Sequence, residues 1–490
     1  MAVVETKYGQ IEGLSLQHGD AFLGIPFAEP PVGPRRWLAP EPPQPWAGVR
    51  EAKSFGYCAI QSTIPGAVGE LIGIATGETN EDCLYLNIWT PSCDHQKRPV
   101  MVWIHGGGNT VGSGSQPRVN GERLAHVGDL VVVTLNYRLG ALGFLHAPEL
   151  GATGNEALLD QVAGLRWVKE NIAAFGGDQD NVTVFGQSAG GFDIAQLMGM
   201  RAAAGCFDKA VPMSGSLTNQ VSAEAGYQTA EKLAERFGGF EKLRDVAADQ
   251  ILAAQTQIPG ARWAPTRDGD VISEDAAEVL ARGDHTREMP LMIGHTRDES
   301  TLFTMFNQQF ANMTDKQLHE LVEGVLGDRA QEALRRYADD RGNEDLSLGP
   351  IDIWAAISTD RMFRIPAVRT ADAHRQHTKN VWMYRFDWES PAHDGKLGAC
   401  HSLDIPFVWG TYELDRMQHF CGVGESVATL SDQVMQSYIA FARTGNPNHD
   451  VIPHWDSYGS DRTTMKFAPE VNAVAAPMES TRALWLAGAH

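Results

Sequence analysis

The sequence predicts an α/β protein, with one central, mostly parallel sheet flanked by helices. Two observations carry that prediction. Short runs rich in β-branched and aromatic residues fall at 100–105, 130–136, 182–185, 209–213, 291–294 and 381–386, and they are largely apolar rather than alternating, as strands covered on both faces must be. Between them the apolar period lengthens to that of helices.

In chain order, the first roughly 60 residues hold Pro26, Pro30, Pro31, Pro34, Pro40, Pro42, Pro43 and Pro45. Proline is excluded from central strands and helix interiors, so this stretch should wrap the surface as ordered loop. The strand at 100–105 runs into a glycine cluster. Residues 158–175 read as a helix: Leu158, Leu159, Val162, Leu165, Val168, Ile172 and Phe175 recur at helical spacing, and Gly176-Gly177 stops the run before the strand at 182–185. Another helix opens after Ser188 through Ile194, Leu197 and Met198. From about 300 to 380 the chain reads as mainly helical, as in 314–337, where Leu318, Leu321, Val322, Val325 and Leu326 form the apolar stripe; this predicts a cap or lid inserted between late strands. No repeat, low-complexity block or polar linker divides the 490 residues, so a single domain spanning 1–490 is expected.

Composition narrows the function classes. An apolar fraction of 43% and a charged fraction of 21% are globular values. A net charge of −21 opposes binding to nucleic acid or anionic lipid, both of which demand a basic footprint. No stretch approaches the roughly 18 apolar residues of a membrane span, and Met1-Ala2-Val3-Val4-Glu5-Thr6-Lys7 starts no apolar run of signal-peptide length, so a cytoplasmic location is expected. The six cysteines (Cys58, Cys83, Cys93, Cys206, Cys400, Cys421) form no C-x-x-C and no Cys/His cluster; neither a metal site nor a disulfide framework is expected.

The sharpest chemical signal is Gly186-Gln187-Ser188-Ala189-Gly190, the one G-x-S-x-G in the chain. The pentapeptide alone is weak in a glycine-rich chain, and a plain turn is its ordinary explanation. Its setting changes that: it follows a predicted strand and opens a predicted helix, as a nucleophile elbow requires. A serine hydroxyl then needs a base, an orienter for that base, and donors for the oxyanion it generates. Ile104-His105-Gly106-Gly107-Gly108, directly after its own strand, is suited to supply backbone donors, with the N–H of Ala189 completing the set. A phosphate-cradling loop is the competing use of these glycines, but no Lys follows and no G-x-G-x-x-G is completed. Together the two motifs imply an acyl-transfer site.

In such a site the acid and the histidine follow the serine in that order. The loop after the strand at 291–294 offers Asp298 and Glu299, and position does not separate them. Nine histidines come later; His319, His374, His377, His419, His449, His454 and His490 have surface or structural readings. His393 and His401 remain, in the loop after the strand at 381–386. His401 precedes the apolar run 405–409 and is favoured by position.

At this point the chain resembles the type-B carboxylesterase family, which includes the bacterial para-nitrobenzyl esterases, animal carboxylesterases and cholinesterases. Beyond the elbow and the glycine loop, the resemblance rests on Gly24-Ile25-Pro26-Phe27-Ala28-Glu29-Pro30-Pro31-Val32-Gly33, Glu81-Asp82-Cys83-Leu84-Tyr85-Leu86-Asn87, Asn136-Tyr137-Arg138-Leu139-Gly140, Phe175-Gly176-Gly177-Asp178 and Phe441-Ala442-Arg443-Thr444-Gly445-Asn446-Pro447-Asn448. It implies an α/β-hydrolase fold with Ser188 as nucleophile, Glu299 as acid, His401 as base, and Gly107, Gly108 and Ala189 as oxyanion donors. It also implies ion pairs Arg36–Glu81 and Arg138–Asp178 and a disulfide Cys58–Cys83, a pair that a cytoplasmic chain would more often keep reduced. Three positions depart from the family's pattern. Gln187 stands where Glu is usual, which argues against a cholinesterase-like preference for cations and makes Gln187, like Asn109, a candidate for the substrate-pocket wall. Asn109 replaces an aromatic residue, which should make a smaller, more polar pocket wall, and Ser300 replaces Gly.

The implied activity is hydrolysis of carboxylic esters, small-molecule substrates, without a cofactor. Rival readings keep the machinery and change the substrate (a thioester, carbamate, lactone, aromatic diester or natural-product ester), pass the acyl group to an alcohol, or retain the fold for non-catalytic binding.

Overall fold

The structure, a computed structural model, describes residues 2–64, 66–72 and 77–486; the His490 of the sequence survey lies outside them. The main sheet comprises β1 (Leu14–Leu16), β2 (Gly19–Pro26), β3 (Tyr85–Thr90), β4 (Arg98–Ile104), β5 (Val131–Leu135), β6 (Gly177–Gln187), β7 (Lys209–Met213), β8 (Leu291–Thr296), β9 (Val381–Phe386), β10 (Thr464–Phe467) and β11 (Asn472–Val474). Its spatial order is β11-β10-β9-β8-β7-β6-β4-β5-β3-β2-β1. From β10 to β5 all neighbours are parallel; β11 at one edge and β3, β2 and β1 at the other pair antiparallel.

The six strands read from apolar runs form the parallel centre, because only strands covered on both faces are apolar throughout. Alternate residues of β4 serve the two faces. Val100, Val102 and Ile104 pack with Leu158, Leu165 and Val168 of α1 (Glu156–Asn171), whereas Met101 and Trp103 pack with Val434, Tyr438 and Phe441 of the helix Glu425–Thr444. The α1 pattern continues through a 3-10 turn, Ile172–Phe175, to Gly176 at φ 79°. The first 60 residues are not all loop: Pro26 ends β2 at the antiparallel side of the sheet, and Val3–Thr6, Gly9–Glu12 and Val49–Glu51 form a separate three-stranded sheet, while Pro30–Pro45 runs as loop around one 3-10 turn, Gly33–Arg35.

Between β8 and β9 the chain is largely helical, and 314–337 falls in two helices. Asp315–Leu326 starts from a Thr314 capping box, and Ala330–Asn343 follows after Gly327 turns the chain at φ 57°. Leu318, Val322 and Leu326 bury against Ala333, Tyr337, Ile353 and Ile357, a separate small core for this segment.

Two contacts inferred from resemblance resolve differently. Arg36 pairs with Glu81 (2.5 Å) and also donates to the carbonyls of Leu243, Arg244 and Val246. Arg138, however, pairs with Asp160 of α1 rather than with Asp178, through Nη2–Oδ1 at 2.6 Å and Nε–Oδ2 at 2.8 Å, both side chains buried. A cation buried at the end of β5 needs a carboxylate on the helix that covers it, and Asp178 opens β6 at the half-exposed rim. Cys58 and Cys83 are buried and not bridged; the Cys58 thiol instead lies 3.5 Å from Ser115 Oγ.

Candidate active site

The site forms where β4, β6, β7 and β8 end, at the C-terminal edge of the parallel strands. Ser188 separates β6 from α2 (Ala189–Gly199) and holds φ 58°, ψ −124°, a conformation costly for a residue with a side chain. Its neighbours over-determine it. Ser188 N donates to Met213 O at 2.9 Å, and Phe192 N donates to Ser188 O at 2.8 Å. Strand and helix approach so closely that a Cβ on Gly190 would lie 2.0 Å from Ile104 O, so only glycine fits.

The loop after β4 runs through Gly107 at φ 121°, Gly108 at φ 61° and Asn109 at φ 59°. This winding turns the Gly107 carbonyl onto the N–H groups of Thr110 and Val111, and among the described residues the N–H groups of Gly107 and Gly108 find no acceptor. Ala189 N, first in its helix, has none within it. Free backbone donors beside a strained serine are what a tetrahedral oxyanion needs. The loop is backed by His105, buried, stacked on Tyr137 at 4.3 Å, and pushed down to about 4 by burial, which keeps it neutral.

Glu299 and His401 meet: His401 Nδ1 donates to Glu299 Oε2. The other carboxylate oxygen accepts Ser214 Oγ at 2.5 Å and Thr296 N at 2.8 Å. Burial alone would push this carboxyl up, but the His401 imidazole and these hydrogen bonds hold it below its ordinary value. Asp298 faces away; it bonds Arg297 (2.7 Å) and Ala399 N (3.1 Å), tying down the start of the His401 loop. Ser300 N donates to Thr359 Oγ1 at 3.0 Å and joins the acid turn to the helical segment. His393 is exposed, beside Phe306, and takes no part.

Gln187 and Asn109 sit differently from the pocket-wall role expected of them. Asn109 is 0% exposed, its amide 3.4 Å from Asp193 Oδ1, while Gln161 Nε2 holds Asp193 Oδ2 at 2.7 Å. It therefore anchors the glycine loop to α2 and α1; burial pushes Asp193 up to about 7. Gln187 is turned onto His401. The approach is walled instead by Phe303, 47% exposed, and by Phe363, each with its ring 5.1 Å from that of His401, and by Phe192, 6.2 Å from Phe363. Phe363 rides on a π-helical turn, Asp360–Arg364, clamped by a buried Asp360–Arg364 pair.

The residue missed in the sequence was Ser214. It follows β7 directly, at the same sheet edge, which was the available signal.

Comparison with known proteins agrees with this geometry. The chain matches the model of the Carboxylesterase family over residues 1–484. It is 37% identical to a para-nitrobenzyl esterase of Bacillus subtilis (strain 168), covering 98% of this chain and 97% of that one, and 34% identical to a phenmedipham hydrolase of Pseudarthrobacter oxydans, covering 94% and 93%. A crystal structure of a Geobacillus stearothermophilus carboxylesterase matches with a TM-score of 0.89 at 37% identity, covering 99% of this chain and 100% of that one. With sequence and architecture in agreement over almost the whole chain, the protein belongs to the carboxylesterase family, has the α/β-hydrolase fold and is a carboxylic ester hydrolase.

Proposed function

We propose that ester hydrolysis runs through an acyl-enzyme on Ser188, with His401 as base, Glu299 as its orienting acid, and the N–H groups of Gly107, Gly108 and Ala189 as oxyanion donors. The observation that carries this assignment is the convergence at one sheet edge of a strained, half-buried serine, loop N–H groups that find no acceptor among the described residues, and a buried Glu299–His401 pair.

His401 Nε2 takes the Ser188 proton as Oγ attacks the ester carbonyl carbon. The electron pair moves to the carbonyl oxygen, where each backbone donor contributes roughly 3 kcal/mol of transition-state stabilisation. As the tetrahedral adduct collapses, the C–O bond to the alcohol breaks and His401 returns the proton to the leaving oxygen. Water repeats the route on the acyl-enzyme, and Glu299 stays ionised throughout.

The helical segment between β8 and β9 acts as a cap in this scheme, supported by its delivery of Phe303 and Phe363 to His401. Those rings and Phe192 favour an apolar, aromatic group on the ester, and the relative named para-nitrobenzyl esterase points the same way. The neutral amide of Gln187 weighs against a cationic one. A cytoplasmic location belongs to the same proposal, supported by cysteines that form no spaced framework.

Hydrolysis of para-nitrophenyl esters from acetate to decanoate, wild type beside Ser188→Ala, tests the assignment. Wild type should show an acyl-enzyme burst, and the variant should lose roughly 10⁴-fold or more in turnover. Near-wild-type activity in Ser188→Ala refutes it, and an inert, well-folded wild type favours a binding role.

A further inference from the structure

Asp193 lies one turn along α2 from Ala189 and is 0% exposed, as are Asn109 and Gln161, the two side chains bonded to it. The Asn109 amide nitrogen is 3.4 Å from Asp193 Oδ1, and Gln161 Nε2 donates to Oδ2 at 2.7 Å. Each amide keeps an oxygen in reserve: among the described residues Asn109 Oδ1 and Gln161 Oε1 find no donor. Asn109 follows Gly108 directly, and its carbonyl accepts Gly140 N at 2.7 Å. The Asp193 carboxyl therefore sits behind the loop whose N–H groups face the oxyanion, where that loop meets α1.

No countercharge reaches it among the described residues. Tyr137, whose phenol feels Asp193, donates to His105 O at 2.6 Å, and His105 is neutral. On α1, Asp160 is paired with Arg138, and Glu156 accepts the N–H groups of Thr153 and Gly154. Glu299 is bonded to His401 at the end of β8. Arg98, Asp178, Asp180 and Lys209 stand near the N-terminal ends of β4, β6 and β7, at the opposite edge of the sheet. Arg201, and Glu278 and Arg282 of the helix Ala276–Arg282, are exposed.

A carboxylate buried without a cation is costly, and burial accordingly pushes Asp193 up to about 7. The neutral acid avoids that cost and adds an O–H, the donor that an amide oxygen here lacks.

We propose that Asp193 supports the oxyanion loop as a neutral carboxylic acid and that its ionisation weakens the oxyanion donors. In the neutral form Oδ1–H donates to Gln161 Oε1 while Gln161 Nε2–H donates to Oδ2, a two-bond acid–amide pair, and Asn109 stays tied to the carboxyl through Nδ2. Ionisation passes the proton to solvent, leaves Gln161 Oε1 without a donor, and sets a negative charge behind N–H groups that must hold a developing negative charge of their own. Asp193 touches neither substrate nor Ser188; it is a positioning residue.

This inference rests on Ser188, His401 and the glycine loop as the site, and the experiment separates the two. kcat/KM for para-nitrophenyl butyrate is measured from pH 5.5 to 9.5 for wild type, Asp193→Asn, Asp193→Ser and Ser188→Ala. Beyond its acid limb, wild type should fall about three- to tenfold toward pH 9. The two neutral variants should lose that fall, so that their activity relative to wild type rises by the same factor between pH 6.5 and 9. Denaturant unfolding reads the same proton without turnover. A carboxyl held protonated up to about 7 makes wild type lose stability relative to Asp193→Asn as pH rises from 4 to 7. Glu156 and Asp404, also pushed up to about 7, contribute equally to both proteins and cancel in the comparison. A wild-type profile flat to pH 9, an alkaline fall that persists in whichever neutral variant folds, or parallel stability curves overturns the role of Asp193 alone. Activity surviving in Ser188→Ala overturns the site and this inference with it.

Discussion

Removing one hydroxyl, Ser214→Ala, should weaken the base without touching it. Glu299 is fully buried, and its ionised form rests on three hydrogen bonds: from Ser214 Oγ at 2.5 Å, from Thr296 N at 2.8 Å and from His401 Nδ1. A hydrogen bond to a charged group contributes about 1.5–3 kcal/mol. The substitution leaves Oε1 with Thr296 alone, so the ionised carboxylate is less firmly held in the orientation that opposes imidazolium in the transition state, and the strength of the lost bond is the upper bound on the effect there. About 2 kcal/mol there corresponds to roughly thirtyfold in kcat/KM. The pH dependence has a definite sign. Glu299 sits below its ordinary 4.5, so its contribution to stability is present above that value and is lost as pH falls through the lower folded one. Taking away Ser214 raises the folded value, so the loss should begin at higher pH. The assay is kcat/KM for para-nitrophenyl butyrate from pH 5 to 8, with the thermal midpoint followed over the same range. The expected result is a deficit of about thirtyfold at pH 8 that deepens toward pH 5. A variant within twofold of wild type at every pH would refute the assignment of Ser214 as the support of the acid.

Three further outcomes follow from named contacts. Asp160→Asn strands the buried Arg138 and should cost about 3–5 kcal/mol in denaturant unfolding, whereas Asp178→Asn should stay within about 0.5 kcal/mol; equal losses would mean that Arg138 is held by something else. Gly190→Ala sets a Cβ 2.0 Å from Ile104 O and 2.8 Å from His105 O, backbone in both cases, so a loss above about 3 kcal/mol or failure to fold is expected by circular dichroism, and an unchanged midpoint contradicts the close approach. Phe303→Ala, at a side chain 47% exposed, should leave stability within about 1 kcal/mol while lowering kcat/KM for an aromatic acyl ester three- to tenfold (about 0.5–1.5 kcal/mol) relative to acetate; equal effects on both esters would remove Phe303 from the pocket wall.

The parallel centre of the sheet was legible because its strands are buried on both faces and therefore apolar without interruption. The antiparallel flank was not. Tyr85–Thr90 carries Asn87, and Gly19–Pro26 opens with Gly19-Asp20, mixed patterns that no run of apolar residues reveals. The break at Gly327 was hidden for a related reason: the apolar stripe of Asp315–Leu326 stays in helical register up to the turn, and one glycine, with its φ of 57°, decides where it ends. Arg138 illustrates a third limit. The buried position of Asp160 follows from α1 lying across β5, a packing fact with no local signature.

The sequence by itself determined what a few neighbouring residues can determine. The elbow at Ser188 and the glycine loop at 106–108 are short, contiguous and set between their own strand and the next turn, so steric requirements alone mark them. Position left Asp298 and Glu299 level and only favoured His401 over His393. Tertiary structure decided the contacts of the rest: Glu299 on His401, Ser214 on Glu299, Gln187 on His401, and Asn109 folded inward onto Asp193. Those contacts join residues 102, 85, 214 and 84 positions apart. A hydrogen bond of that span exists only when several separately folded strands end at the same edge of one sheet, and the side chain that reaches it is chosen by packing, not by its neighbours in the chain.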